Sequence, residues 1–173
     1  MGDVLPDPST YRSLVGKLNF LQHTRPDISF AVQHLSQFLQ HPCVFHMKAS
    51  IYLLRYLMNA PEQGIFLPFT FSYSLLACAD SDWAACPFSR RSVTGYYIFF
   101  CDCLVSWKCK KQPTIALSFV EAEYRALRKV VAEVVWLTHL FADMGLTITS
   151  PGPSFCDGQA ALHIAKNPVL RTH

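Results

Sequence analysis

A short apolar run that ends in two acids, Leu75-Leu-Ala-Cys-Ala-Asp-Ser-Asp82, constrains this chain more than any other stretch. Four to eight apolar residues followed by a polar pair are typical of a buried strand that delivers a carboxylate to its end. A carboxylate in that place is unfavourable unless a partner or a cation neutralises it. Asp80 and Asp82 lie two residues apart and face the same side of the strand, so periodicity leaves the choice between them open.

A glutamate in the longest helical pattern is a candidate to share this site. Glu123 lies three residues after Val120 and four before Leu127, so it occupies the apolar stripe of the predicted helix. Its neighbour Glu121 is explained by a capping box in which Ser118 is the N-cap. An acid on an apolar stripe has no such simple explanation, and this favours Glu123 over Glu121 as a functional residue.

A third acid, Asp157, follows a second short apolar run. Each of the three also has a structural alternative. Asp80 can be an exposed strand end, and Asp157 can simply be the N-cap of the last helix. Glu123 can be a helix-edge residue bonded to a backbone amide or to Arg90 or Arg91. Because the three acids are delivered by three separate elements, the pattern favours a divalent-metal site.

The most basic stretch runs from Phe88 to Lys111, and strand alternation within it puts Lys108 and Lys110 on one face. One interpretation is a solvated edge strand, on which lysine prevents edge-to-edge pairing. The other is contact with a phosphate backbone, which a neighbouring metal site favours. On the second interpretation, the candidate nucleic-acid-binding residues are Arg90, Arg91, Lys108, Lys110 and Lys111.

Composition limits the class of protein. A chain of 173 residues with 51% hydrophobic content forms one domain, or one domain and a helical appendage, and a net charge of +3 excludes a highly basic nucleic-acid coat. The seven cysteines show no paired CxxC spacing, which favours free thiols in a reducing compartment. Without a secretory signal or an apolar run of about 20 residues, we expect no membrane partner and an intracellular location, cytoplasmic or nuclear.

The order of the predicted elements indicates an α/β fold, an α+β mixed sheet with helices packed on it, preceded by a small helical subdomain. Three amphipathic helices come first, the first capped by Ser9 and the second starting at Pro26 with an apolar stripe that reaches Leu39. The remaining predicted elements are a helix over 45–58, strands over 75–82, 94–101 and 104–109 with 114–117 as an extension or bulge, a helix from Ser118 to about Met144, a strand over 154–156 and a helix over 158–166.

Several motifs together resemble the end of a Copia-type retrotransposon Pol polyprotein of plants, over nearly the whole chain. The segments that resemble the region after the reverse-transcriptase palm are Tyr11-Arg-Ser-Leu-Val-Gly-Lys-Leu, Thr24-Arg-Pro-Asp-Ile-Ser-Phe-Ala-Val and Leu54-Arg-Tyr-Leu. The segments that resemble its ribonuclease H domain are Asp80-Ser-Asp-Trp-Ala-Ala, Arg90-Arg-Ser-Val-Thr-Gly-Tyr, Ser106-Trp-Lys-Cys-Lys-Lys-Gln-Pro, Glu121-Ala-Glu-Tyr-Arg-Ala-Leu and Cys156-Asp-Gly-Gln-Ala-Ala.

The resemblance implies a ribonuclease H-like fold over residues 69–173, preceded over residues 1–68 by a helical segment like the reverse-transcriptase thumb and connection. The family's active site is a quartet of acids, which Asp80, Glu123 and Asp157 match in three positions. The fourth acid lies beyond a Thr-Lys-His-Ile segment in the family, so we expect it past His173 and expect a domain incomplete at its C-terminus.

The function implied by the resemblance is cleavage of RNA in RNA–DNA hybrids with two Mg²⁺ or Mn²⁺ ions. Asp80, Glu123 and Asp157 would bind these ions and serve as the catalytic residues, without a small-molecule cofactor. The expected partners are the hybrid and a reverse-transcriptase polymerase domain within a longer polyprotein. The alternative is a catalytically inactive retrotransposon remnant that at most binds nucleic acid or a partner.

Overall fold

The computed structural model describes residues 2–69, 73–146, 148 and 152–167. The chain divides into two compact units, Met1–Ile65 and Phe66–His173. The end of the chain, on which the expected truncation falls, lies outside the described residues. Within the described residues, no helix combines the length and the apolar character that a membrane crossing requires.

The first unit consists of three helices, as the apolar periodicity predicts. They are α1 (Pro8–Leu21), α2 (Ser29–Ser36), which follows a 3₁₀ turn over Pro26–Ile28, and α3 (Val44–Asn59). The buried core comes from α1, the 3₁₀ turn and α2, and α3 packs partly buried residues such as Met47 and Leu53 against it; the fully buried residues are Tyr11, Val15, Leu18, Ile28, Val32 and Leu35. The assignment of this unit to a thumb or connection segment stays a prediction.

The first helix begins one residue before the predicted cap. Asp7, not Ser9, is the N-cap of α1, because its carboxylate accepts hydrogen bonds from the Ser9 N–H and the Thr10 hydroxyl, each at 2.9 Å. Pro8 then occupies the first helical position, where a missing N–H is harmless. The proline at the first helical position therefore places the cap two residues before the predicted one.

The second helix is shorter than the predicted stripe, since α2 ends at Ser36. Leu39 lies beyond it and still packs against the Tyr11 cluster. Its carbonyl oxygen accepts a hydrogen bond from the Arg12 Nε at 2.8 Å. Burial of an apolar side chain therefore continues past the helix end, where periodicity alone cannot mark the boundary.

The second unit is a mixed α/β domain consistent with a ribonuclease H-like fold. Its strands and helices are β1 (Leu75–Asp82), β2 (Val93–Phe100), β3 (Cys103–Lys111), α4 (Phe119–Asp143), β4 (Ser154–Phe155) and α5 (Gln159–Lys166). The strand order is β3-β2-β1-β4; β2 runs antiparallel to β1 and β3, and β4 runs parallel to β1. The mixed sheet with packed helices confirms the predicted fold class.

The core of this unit lies between the sheet and α4. One face of β1 contributes small buried residues, Ala77 and Ala79, opposite Ala126 and Val130 of the helix. At the other end of the interface the rings of Phe100 and Phe141 stack with centroids 4.3 Å apart. The small side chains near the end of β1 let α4 approach closely at the place where the acids are found.

The segment over residues 114–117 is neither a strand extension nor a bulge, so both predicted alternatives are wrong. Pro113, which lacks an N–H, separates it from β3. Side chains hold it instead: the Trp83 indole N–H donates to the Ala116 carbonyl at 3.1 Å, and Arg125 donates to the Thr114 hydroxyl at 2.7 Å. β-Branched residues favour a strand, but here the loss of strand hydrogen bonds outweighs that preference.

The ends of α4 follow the predicted signals, and the helix ends at Asp143, one residue before the predicted end. The Ser118 hydroxyl accepts from the Glu121 N–H at 3.1 Å, which confirms the predicted N-cap. The Glu121 carboxylate reaches back to the Leu117 N–H and pairs with Arg125 at 2.6 Å. Gly145, at φ +81°, follows the helix, as expected of a residue that adopts the left-handed conformation easily.

A buried glutamine ties β1, β2 and α4 together. Gln112 is 1% exposed, and its Nε2 lies within hydrogen-bond distance of the Ser81 hydroxyl (3.2 Å), the Thr94 hydroxyl (3.0 Å) and the Ala122 carbonyl (3.1 Å). The carbonyl can only accept, so the amide nitrogen must face these groups. This one side chain therefore joins three elements beside the end of β1.

Replacing Gln112→Ala should lower the free energy of unfolding of the second unit by about 2 kcal/mol, because the Ala122 carbonyl loses its side-chain donor and a buried volume is left empty. Denaturant unfolding followed by tryptophan fluorescence measures this unit specifically, since all three tryptophans lie in it. The exposed Gln159→Ala variant serves as control and should change stability by less than about 0.5 kcal/mol. If both variants were equally stable, the contacts of Gln112 with β1, β2 and α4 would not stabilise this unit as we expect.

In the first unit, replacing Asp27→Asn should be destabilising at neutral pH by about 1.5–3 kcal/mol. The Asp27 carboxylate receives two hydrogen bonds from the buried Arg25 guanidinium, at 3.0 and 2.8 Å, and these hold its pKa below the usual value. A lowered pKa stabilises the fold above the unfolded-state pKa, and that stabilisation is lost as the pH falls through the folded-state value. Hydrogen exchange over residues 8–59 should therefore show a difference between variant and wild type that shrinks in acid; a difference independent of pH would refute this.

Candidate functional site

The end of β1 holds Asp80 against its own backbone. Exposed and buried residues alternate here, so Asp80 and Asp82 are exposed and Ser81 between them is only 2% exposed. The Asp80 Oδ1 accepts a hydrogen bond from the Ser81 N–H at 2.8 Å. In the strand pair, Asp80 lies opposite Gly95 of β2, which has no side chain to compete for this space.

Glu123 is completely buried in α4, at 0% exposure. Its Oε1 accepts a hydrogen bond from the same Ser81 N–H, at 2.9 Å. Because two carboxylates share one donor, Asp80 and Glu123 meet at this backbone amide. Of the two aspartates that periodicity could not distinguish, it is Asp80 whose carboxylate shares the Ser81 amide with Glu123.

The residues after β4 join the same place. β4 is parallel to β1, with Phe155 opposite Cys78. Ligand atoms of Glu123, Cys156 and Asp157 all lie within 4.8 Å of one another. The Cys156 thiol also donates a hydrogen bond to the Glu123 Oε2 at 3.3 Å. The structure therefore brings the other two predicted acids, Asp80 and Asp157, to Glu123, and the catalytic and metal-binding roles of all three stay predictions.

Gly158, not Asp157, is the N-cap of α5, and no side chain caps this helix. The alternative in which Asp157 serves only as the helix cap is therefore wrong. A Cβ on Gly158 would lie 3.1 Å from the Glu123 Cγ, closer than ordinary packing distance. Glycine thus lets the start of α5 pack directly against the buried glutamate.

The surroundings of Glu123 and Cys156 raise the pKa of both groups. Burial raises the pKa of Glu123, and the charges of Asp157 and Asp80 raise it further, while hydrogen bonds from Cys156 and Ser81 act in the opposite direction. Burial likewise raises the pKa of Cys156 to about 11, with Glu123 and Asp157 adding to the effect. Near neutral pH, Cys156 is therefore a neutral thiol that donates to its carboxylate neighbour.

No cation neutralises Glu123 within the described residues, since neither ion pair found there includes it. The alternative of a pair with Arg90 or Arg91 is therefore wrong, whereas the alternative of a bond to a backbone amide is confirmed at Ser81. A divalent cation would supply the missing charge, and carboxylate oxygens are ligands that hard cations prefer. The Cys156 sulfur adds a softer donor. This donor set is compatible with a divalent metal ion.

A basic groove of about 510 Å³ lies between β3 and α4. Four of the five predicted nucleic-acid-binding residues line it, and α4 contributes one further cation; the lining cations are Arg91, Lys108, Lys110, Lys111 and Lys129. In the described sheet β3 is also an edge strand, so the protective interpretation of its lysines holds as well. The two interpretations are compatible, because the same exposed lysines face the groove.

Two of the predicted cations differ from the rest. Arg90 is exposed in the loop between β1 and β2, at φ +53°, and is not among the groove-lining residues. The Lys111 ammonium donates to the Cys86 sulfur at 2.9 Å. Burial opposes ionisation of Cys86, but the hydrogen bonds from Lys111 and Ser89 outweigh it and lower the pKa of this thiol to about 6. The Lys111 charge is thus already engaged.

Three residues of the site were not found from the sequence. Cys156 is adjacent to Asp157, and this proximity was the available signal. Gln112 directly follows the basic strand, where a polar residue usually faces solvent. Lys129 lies on an ordinary helical repeat with Arg125, and nothing in the pattern separates it from a surface lysine.

Comparisons with known proteins give relatives over nearly the whole chain. The retrovirus-related Pol polyprotein from transposon RE1 of Arabidopsis thaliana is 39% identical over 171 residues, which is 99% of this chain and 12% of that protein. The Pol polyprotein from transposon TNT 1-94 of Nicotiana tabacum is 37% identical over 92% of this chain and 12% of that protein. The chain thus spans about an eighth of these curated relatives.

A shorter relative is matched over most of its own length. Secreted RxLR effector protein 161 of Plasmopara viticola is 43% identical over 129 residues, which is 74% of this chain and 91% of that protein. No family model matches the chain, and no solved structure matches it. The whole-chain identity to transposon proteins confirms the resemblance to a retrotransposon Pol polyprotein. Its homologues over nearly the whole chain, at 37–39% identity, are retrovirus-related Pol polyproteins of plant transposons.

Proposed function

We propose that this chain provides the ribonuclease H-type centre of a retrotransposon Pol polyprotein, a metal-dependent endonuclease that cleaves the RNA strand of RNA–DNA hybrids. The observation that carries the proposal is the meeting of Asp80 and Glu123 at one Ser81 amide, with ligand atoms of Asp157 and Glu123 within 4.8 Å of each other. No single structural role explains why acids from β1, from α4 and from the segment after β4 lie close to Glu123. Their convergence supports a common ligand.

The ligand proposed for the acids is a pair of Mg²⁺ or Mn²⁺ ions, held by Asp80, Glu123 and Asp157. When bound by these residues, such ions would supply Lewis acidity to activate a water and to stabilise the leaving oxygen. The raised pKa of Glu123 and its lack of an ion pair in the described part of the chain support this choice, because a cation would offset the burial of its charge.

The protein groups around the acids would orient them. The Ser81 N–H fixes one oxygen of Glu123, and the Cys156 thiol fixes the other. Gln112 in turn contacts the Ser81 hydroxyl, so the strand end cannot shift without breaking a buried contact. A site held in this way loses little entropy when substrate binds, which is a recognised source of rate acceleration.

The substrate proposed for the chain is a nucleic-acid hybrid in a longer polyprotein that also contains a polymerase domain. The exposed cations Arg90, Arg91, Lys108 and Lys110 support phosphate contacts, and Lys111 lies beside three of them in the groove. Recognition of an RNA strand would depend on its 2′-hydroxyl groups, which a DNA strand lacks.

The variant Glu123→Gln should bind Mn²⁺ about 10–100-fold more weakly than wild type, because it removes a buried charge at the centre of the acid cluster. Isothermal titration calorimetry with Mn²⁺ measures this directly. Glu121→Gln is a matched control on the same helix turn, since it removes the charge of a partly exposed pair with Arg125, away from the acid cluster, and should leave Mn²⁺ affinity within twofold. Equal affinities of the two variants would reject the metal assignment.

The activity itself is tested with a labelled RNA–DNA hybrid and Mg²⁺ or Mn²⁺. We expect cleavage of the RNA strand only, with Asp80→Asn, Glu123→Gln and Asp157→Asn each reducing the rate at least about 100-fold. Glu121→Gln should cleave at the wild-type rate. Binding of the hybrid without any cleavage, with every variant like wild type, would favour the catalytically inactive remnant instead.

A further inference from the structure

We propose that Glu123, Cys156 and Asp157 form a site for a thiophilic divalent cation of the Zn²⁺ class, which binds the Cys156 sulfur and excludes the hard ions of the proposed nuclease. The inference rests on the proposed function for the reaction that the ion inhibits, whereas ion binding itself does not depend on it. It assigns Cys156 a second role, as a metal ligand, and gives the centre a means of regulation by a different class of ion.

The three side chains are close enough to share one ion. Their ligand atoms all lie within 4.8 Å of one another, and the Cys156 sulfur lies 3.3 Å from the Glu123 Oε2. Zinc binds oxygen at about 2.0–2.2 Å and sulfur at about 2.3 Å, so two ligand atoms on one tetrahedral ion lie roughly 3–4 Å apart. Small side-chain rotations would therefore bring one sulfur and two oxygen atoms onto a single ion.

The connection between β4 and α5 explains why two adjacent residues can both reach the same glutamate. Within a strand, successive side chains point to opposite faces of the sheet. Because β4 ends at Phe155 and α5 begins at Gln159, Cys156 and Asp157 lie outside both elements. Their side chains are thus free of the strand alternation, and ligand atoms of both lie near the Glu123 carboxylate. The fold therefore presents a sulfur and an oxygen ligand in one short segment.

The donor atoms of this group select a softer ion than the acids alone would. Thiolate sulfur favours zinc and other thiophilic ions, whereas carboxylate oxygens favour Mg²⁺ and Mn²⁺. Asp80 is not a member of the group within the described residues, and its Oδ1 accepts a hydrogen bond from the Ser81 N–H at 2.8 Å. An ion bound by Cys156 would therefore use a ligand set that differs from the one proposed for the hard ions.

The Cys156 side chain changes its role with the ion that is bound. With a hard ion, the thiol keeps its proton and donates to the Glu123 Oε2, as it does in the structure. A thiophilic ion forms a bond to the sulfur, and the thiol proton leaves to solvent, because the thiolate is the form that binds metal. The same ion takes up oxygen atoms of Glu123 and Asp157. Since the hard ions need these oxygen atoms, the thiophilic ion would inhibit cleavage.

The experiment titrates the full chain with Co²⁺ and Cd²⁺ and records the near-ultraviolet charge-transfer absorption of a metal–thiolate bond. Wild-type protein should show the absorption, and Cys156→Ser, which keeps a donor for Glu123, should lose it. The ratio of Cd²⁺ to Mn²⁺ affinity should fall about 10–100-fold in this variant. Cys103→Ser is the matched control, since Cys103 is another partly buried free thiol, and should keep the absorption and the ratio. An unchanged absorption or an unchanged ratio in Cys156→Ser would overturn the proposal.

A second measurement needs no variant. In wild-type protein, bound Cd²⁺ should slow the alkylation of Cys156 by iodoacetamide at least about tenfold, because a metal-bound thiolate is a poor nucleophile. Peptide mass spectrometry measures this, and the alkylation rate of Cys103 should stay unchanged. Equal alkylation of Cys156 with and without Cd²⁺ would overturn the proposal. Protection of Cys156 in a protein that cleaves no hybrid would reject the proposed function and leave this site intact, whereas cleavage without protection would reject this site alone.

Discussion

The burial of Glu123 against the Ser81 amide is the interaction on which the second unit depends. A carboxylate at 0% exposure is tolerated only where donors replace the lost water, and one backbone N–H and one thiol do so here. The neighbouring elements accommodate this arrangement. Gly158 leaves space for the glutamate chain, and Gln112 anchors the Ser81 side chain.

Two regions of opposite charge adjoin Gln112. On one side the acids around Glu123 form a region that favours a cation, and on the other the lysines between β3 and α4 form a region that favours an anion. Reactions at phosphodiesters need both, because the anionic strand must be held while positive charge is supplied to the reacting oxygen atoms. The adjacency of the two regions supports the proposed function better than either region alone.

Much of the fold was predictable because it depends on local signals. Short sequence patterns indicate the strand that ends at Asp82, the N-cap Ser118 and the left-handed Gly145. The errors occurred where two local signals competed. Ser9 was the predicted cap of α1, but Pro8 at the first helical position places the cap at Asp7, and the β-branched residues over 114–117 follow a proline that prevents strand pairing.

The sequence by itself determined which acids were available, which element carried each of them, and that Glu123 rather than Glu121 lay on the buried stripe. Only the tertiary structure decided that Asp80 and Glu123 share one amide, that Cys156 is a partner, and that Lys129 joins the basic strand. The reason is physical: these contacts depend on the register of parallel strands and on the distance at which a helix packs on a sheet. Both are set by side chains far apart in the chain, and no local pattern contains them.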